Sequence, residues 1–333
     1  MAIALRQLAY GIPADACDEL FGMSESTCRD IFLCFCASIV EIFKDEYLRL
    51  PNAADVSRLL LENGERGFPG MLGSIDCMHW YWDKCPVVWA GMVFPFWVFN
   101  IYRHFISCVT NNMAGSFKGK GHKPSVILEA VADRSLYFWH AFFGVPGANN
   151  DLVVLDRSPL MQAVEQGRVP RMQYTINGCV RDLPYFLADG IYPAWSIFVN
   201  TIPDPTTEKD KHFAVMQEGA RKDVERAFGV LQARFQYIKR HSRLWDLDRM
   251  RNVMLACIIM HNMMVEEGTV LDLEDEDGND LVPAIALAPE AFDFNRPDNM
   301  DRFLNDKRVI RDRDAHRNLK TDLVEHLWSL RTE

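Results

Sequence analysis

No two of the nine cysteines stand at CxxC spacing, and Cys34 and Cys36 are only two apart. A zinc finger and a disulfide framework are therefore not expected. The pattern reads as reduced, buried thiols in a cytosolic or nuclear protein. A long apolar run is missing too. The most apolar stretch, Met92 to Val109, is interrupted by Asn100, Arg103 and His104, which argues against a membrane span. No signal peptide is expected. Positive charge is also scarce: 36 Lys and Arg face 46 Asp and Glu, a formal charge of −10 that at first argues against nucleic acid. Its distribution matters more. Residues 266–280 hold eight acids and no base, whereas 221–251 carries nine Lys or Arg against four acids. That local surplus is able to meet phosphates.

What is present supports a large core. With 333 residues, 49% of them hydrophobic, the chain suffices for one large α/β domain with helical additions, or for two modest domains. Residues 1–62 read as helices: Ala14–Phe21, a turn over 22–26, then Thr27–Phe43, with Ser24 or Ser26 as its cap. This helix-turn-helix outline suits bundle packing better than DNA reading, because the second helix is rich in Phe, Cys and Ile. From residue 70 the character changes. Residues 73–80 (GSIDCMHW), 125–132 (SVILEAVA) and 136–143 (LYFWHAFF) read as three strands, the last two joined by a turn at Asp133-Arg134. A loop ending at Asp151 leads into a helix through about Val164. Tyr185–Ala188 is a fourth strand closed by Asp189-Gly190, and a Pro-rich loop over 193–205 follows. A helix near Asp246–Glu266 is apolar almost all round. Leu319, Leu323, Leu327 and Leu330 mark a C-terminal amphipathic helix.

Between the Pro-rich loop and that apolar helix, Phe213, Ala220, Val224, Phe228, Leu231, Phe235 and Ile238 fall at helical steps. Glu225 stands at the edge of this stripe, one turn after Arg221, which by itself suggests a solvated ion pair. Strand-strand-strand-helix-strand-helix is the order of an RNase H-like fold, in which the first and fourth strands lie side by side. Asp76 and Asp189 would then be neighbours although 189 − 76 = 113 positions apart, with Glu225 approaching from the packed helix. Three such carboxylates would hold one or two Mg²⁺ ions, which are hard and prefer oxygen ligands. Ions so held activate water or a 3′-hydroxyl for in-line phosphoryl displacement. An Asp before Gly, as at Asp189, is also an ordinary turn residue.

GSIDCMHW, GVPGANND (144–151), LADGIYP (187–193) and RKDVERAFGVLQARF (221–235), in that order, resemble the plant transposon protein family. That family is the plant branch of the PIF/Harbinger transposases and their domesticated relatives. The likeness covers about 1–266 and extends weakly to DLVEHLW (322–328). It implies a DDE nuclease with an RNase H-like core, dependent on Mg²⁺ or Mn²⁺, acting on DNA in the nucleus with the cytoplasm as a second compartment. A Myb-like partner protein would help deliver the DNA. The family's first Asp matches Asp76 and its glutamate matches Glu225. For the second Asp, Asp151 and Asp189 both qualify. Asp189 is preferred because it closes the fourth strand and because 225 − 189 = 36 is a short spacing of the expected kind. Asp151 then becomes a helix N-cap or an accessory residue. His79 and Arg221 are further accessory candidates, and Arg226, Arg234, Lys239 and Arg240 are DNA-binding candidates, with core or ion-pair roles equally open.

The implied organisation is a helical region over 1–69, the nuclease domain over 70–266, an acidic linker over 267–298 and a C-terminal helix within 299–333. The likeness breaks over 93–116, whose Phe- and Asn-rich composition is expected to be translated intron. Transcripts that all keep these codons would overturn that idea. The start at a helical region leaves little room for a separate DNA-binding domain upstream. The alternative function is a non-catalytic nuclear interaction factor that keeps the fold. A carboxylate glycosidase would also use paired acids but leaves the motif order unexplained.

Overall fold

The computed structural model describes residues 1–86, 116–118, 123–166, 168, 171–273, 292–293 and 308–332. The proposed intron-derived stretch and most of the acidic linker lie outside these residues. Four helices open the chain: α1 (Ala2–Tyr10), α2 (Ala14–Phe21), α3 (Glu25–Tyr47) and α4 (Ala53–Glu65). Ser24 caps α3, its hydroxyl accepting from Thr27 N–H, and Asn52 with Asp55 forms a reciprocal capping box on α4. The helix expected over Thr27–Phe43 thus runs longer at both ends. It packs along a later helix, Leu247–Leu273, with Phe32 and Cys36 buried.

The centre is a five-stranded sheet in the order β3-β2-β1-β7-β8. Its members are β1 (Met71–Tyr81), β2 (Ser125–Ala132), β3 (Phe138–Pro146), β7 (Tyr185–Ala188) and β8 (Phe198–Asn200). The first three form an antiparallel meander, and β7 and β8 add on in parallel. This is a mixed α/β, RNase H-like fold. All eight residues of this mostly apolar strand β2 are buried, Ser125 and Glu129 included, as befits a strand covered on both faces. Between β3 and β7 come α5 (Asp151–Arg157), α6 (Pro159–Glu165) and the short strands β4 (Arg171–Met172), β5 (Tyr174–Ile176) and β6 (Cys179–Arg181). After β8 follow α7 (Glu208–Arg234), α8 (Gln236–Lys239), α9 (Leu247–Leu273), β9 (Phe292–Asp293) and α10 (Arg313–Thr332).

Several sequence expectations need correction, each for a local reason. The third strand starts at Phe138, because Asp133 Oδ1 accepts from Tyr137 N–H and Leu136 turns at φ 71°. The helix after Asp151 breaks at Ser158, since Pro159 disfavours helical backbone in the residue before it and Ser158 instead caps α6. The Pro-rich loop contains β8. The stripe reaching Ile238 spans two helices, because the chain leaves helical geometry at Phe235. The helix expected to end near Glu266 continues to Leu273, inside the presumed linker. In α10, Leu319, Leu323 and Leu327 are buried, while Leu330 is 47% exposed.

Among the described residues no helix is long and apolar enough to cross a membrane, and the described cysteines are unpaired.

Candidate active site

β1 presents alternate side chains to the two faces of the sheet. Ser74, Asp76 and Met78 face α7: Ser74 Oγ donates to Ala220 O at 3.1 Å, and Gln232 Nε2 lies 3.0 Å from Met78 Sδ. Gln217 continues this anchoring, donating from Nε2 to Ala188 O at 3.2 Å and Val199 O at 2.9 Å. Helix α7 is thereby tied to β1, β7 and β8 together, which fixes where Glu225 stands.

Asp76 and Glu225, 225 − 76 = 149 positions apart, meet at one guanidinium. Arg221 Nη1 lies 2.8 Å from Glu225 Oε1 and 3.5 Å from Asp76 Oδ2. The other Asp76 oxygen accepts from Cys77 N–H at 2.8 Å. Burial pushes the Asp76 carboxyl up to about 6; the Cys77 amide and Arg221 oppose this, while the charges of Glu225 and Asp151 add to it. A partly buried acid repelled by two more acids is a place where added positive charge is favoured.

The two candidates for the second acid lie differently. The β1–β7 pairing runs from Met71–Tyr185 to Ser74–Leu187, and Asp189 follows the last residue of β7, Ala188. Its carboxylate accepts from Gly190 N–H at 2.6 Å, and Asn200 Nδ2 fixes the loop by donating to Asp189 O at 2.8 Å and Tyr192 O at 2.9 Å. Asp151 is the first residue of α5, not its cap: Asn150 Oδ1 accepts from Val153 N–H at 3.0 Å and fills that role. Asp151 nevertheless lies near enough for its charge to act on Asp76.

The remaining candidates are largely engaged elsewhere. His79 faces away from α7, its Nδ1 3.0 Å from Ser125 Oγ. Arg226 pairs with Asp223, a fully buried acid that also holds Arg66 at 2.6 Å. Arg234 Nη1 donates to His261 Nδ1 at 3.1 Å, and Arg240 Nη1 donates to Gly11 O at 3.1 Å. Lys239 is exposed.

Sequence reasoning missed Gln217 and Glu129, although each left a signal. Gln217 interrupts the apolar stripe between Phe213 and Ala220. Glu129 is the one acid in SVILEAVA; it lies fully buried beside β1 residue Cys77, and its Oε1 takes Ser158 Oγ and His140 Nε2.

The donor set is all carboxylate oxygen, which suits a hard divalent cation. Among the described residues no three His, Cys, Asp or Glu side chains form a ready metal-binding group, and Asp76 and Glu225 converge on Arg221 instead.

The RNase H-like sheet carries one acid in the middle of its central strand and another on the covering helix. The chain belongs to the plant transposon protein family, whose model matches residues 45–95 and 98–272. It is 25% identical over 309 residues to a protein ALP1-like of Arabidopsis thaliana, a span covering 91% of this chain and 70% of that relative. No solved structure matches it.

Proposed function

We propose that this chain is a metal-dependent DNA endonuclease of Harbinger-type transposase descent, acting in the nucleus by phosphodiester hydrolysis or strand transfer. The observation that carries the reading is the meeting of Asp76 and Glu225 at a single guanidinium across the β1–α7 contact. Asp76, Glu225 and Asp189 would hold Mg²⁺ or Mn²⁺. When bound, such an ion activates the attacking oxygen and stabilises the leaving one. Asp76 supplies a rigid ligand from mid-strand. Glu225 is held facing it by the ties that Ser74 and Gln217 make to α7. Arg221, released from the carboxylates, is positioned to take a phosphate oxygen. A Myb-like partner supplying further DNA contacts suits a surface whose basic side chains are mostly occupied.

The test is cleavage of duplex DNA with and without Mg²⁺ or Mn²⁺ by the intact chain and by Asp76→Asn and Glu225→Gln. Metal-dependent cleavage lost in both variants is the expected result. Equal nicking by all three would mean a contaminant, and the reading would fall.

One observation favours a second reading, a non-catalytic nuclear interaction factor. Arg221 already bridges the two acids, so the fold needs no metal ion to keep them together. A folded protein with neither metal affinity nor cleavage would support this reading.

A further inference from the structure

Beyond Asp76, β1 runs out to Tyr81 and is met by the segment that follows α8. Ser242 N–H donates to Tyr81 O at 2.8 Å, Asp83 N–H donates to Ser242 O at 2.9 Å, and Trp82 and Ser242 form a parallel bridge. Two buried indoles fasten the same segment from beneath. Trp80 Nε1 donates to Arg240 O at 2.8 Å, and Trp82 Nε1 donates to Leu244 O at 2.7 Å. In such extended backbone, side chains alternate between inside and outside. Ser242 and Leu244 are accordingly buried, while Arg243 and Trp245 are exposed and His241 is half-buried.

The product is a rigid ledge of aromatic rings interleaved with cations. Trp245 is 70% exposed, with Lys84 Nζ 5.1 Å from its ring centroid. The Tyr81 ring lies 5.1 Å from that of His241, whose Nδ1 is 2.8 Å from Asp83 Oδ1. Arg243 stands exposed on that segment and Lys239 at the end of α8, in a chain whose net charge is −10. A ligand matching this surface needs flat apolar faces and repeated negative charge together. A duplex offers only base edges, within its grooves. An unpaired strand offers both faces and phosphates, and it binds by stacking on aromatic rings beside cations.

We propose that this ledge binds unpaired DNA, with Trp245 stacking a base and Lys84 and Arg243 meeting the flanking phosphates. Tyr81 is five residues along β1 from Asp76, about 17 Å, so the ledge would hold a strand frayed or displaced beside the candidate active site. The proposal rests on DNA as the substrate of that site, but binding here requires no metal.

The test is fluorescence anisotropy of a labelled oligothymidine and of a hairpin duplex with the full chain in EDTA. Wild type is expected to bind the single strand more tightly than the duplex. Trp245→Ala should weaken single-strand binding roughly 5- to 150-fold, the range for one lost stack, and leave duplex binding unchanged. Trp245→Phe should restore most of the loss. Arg243→Glu should weaken binding and lower its salt slope by about one. Unchanged single-strand affinity in both Trp245→Ala and Arg243→Glu would overturn the proposal and leave the ledge as a protein-contact surface. A preference for duplex would also overturn it. Asp76→Asn is expected to lose cleavage but keep single-strand binding, which separates failure of the ledge from failure of the nuclease reading.

Discussion

Arg234 illustrates how a basic side chain on a positively charged helix is drawn inward. It donates to His261, whose Nε2 in turn lies 2.9 Å from Leu136 O. Burial, assisted by the Arg234 charge, pushes the His261 imidazole down to about 4. The folded state therefore binds fewer protons than the unfolded chain between about pH 6.5 and 4. Stability from the neutral ring is complete above about 6.5 and is lost as pH falls through that window, by about 3 kcal/mol. His261→Gln should flatten this dependence in urea unfolding at a series of pH values, whereas parallel profiles for the two proteins would contradict it. Asp223 is the acidic counterpart. Its removal leaves Arg66 and Arg226 without their shared partner, so Asp223→Ala should cost about 1–3 kcal/mol. Arg226→Ala, at a side chain 59% exposed, should cost less than about 1 kcal/mol in the same unfolding measurement.

Among the elements, α10 closes one side of the core through Leu319, Leu323 and Leu327. Leu323→Ala should lower stability by about 2–5 kcal/mol because the residue is fully buried. Leu330→Ala should stay within about 0.5 kcal/mol. A large effect at Leu330 would mean that the helix docks through another face. The strands most legible in the sequence were those whose apolar runs had no competitor: 125–132 and 185–188 match the observed spans. β8 was hidden because three residues inside a Pro-rich stretch carry no period. The break between α5 and α6 is legible in Pro159. The start of β3 at Phe138 depends on Asp133 bonding forward across the turn, a tertiary detail that no propensity encodes.

At the scale of the whole molecule, the order of strands and helices was enough to specify the RNase H-like sheet, because parallel addition of β7 beside β1 follows from that order. Half of the candidate site was legible in the same way. Asp76 and Glu225 both reach Arg221, which the sequence offers both as the ion-pair partner of Glu225 and as an accessory candidate. The roles of the basic residues were less legible, because whether an arginine meets solvent or a buried acid depends on contacts such as Arg66–Asp223, 223 − 66 = 157 positions apart. The central claim is that acids from two strands and one helix share a cation. The most direct measurement is Mn²⁺ binding by electron paramagnetic resonance on the intact chain and on Asp76→Asn, Glu225→Gln, Asp189→Asn and Asp151→Asn. The account predicts binding by the wild type, its loss in the Asp76, Glu225 and Asp189 variants, and its retention in Asp151→Asn. A folded wild type that leaves Mn²⁺ free, or variants that bind it equally, would contradict the account.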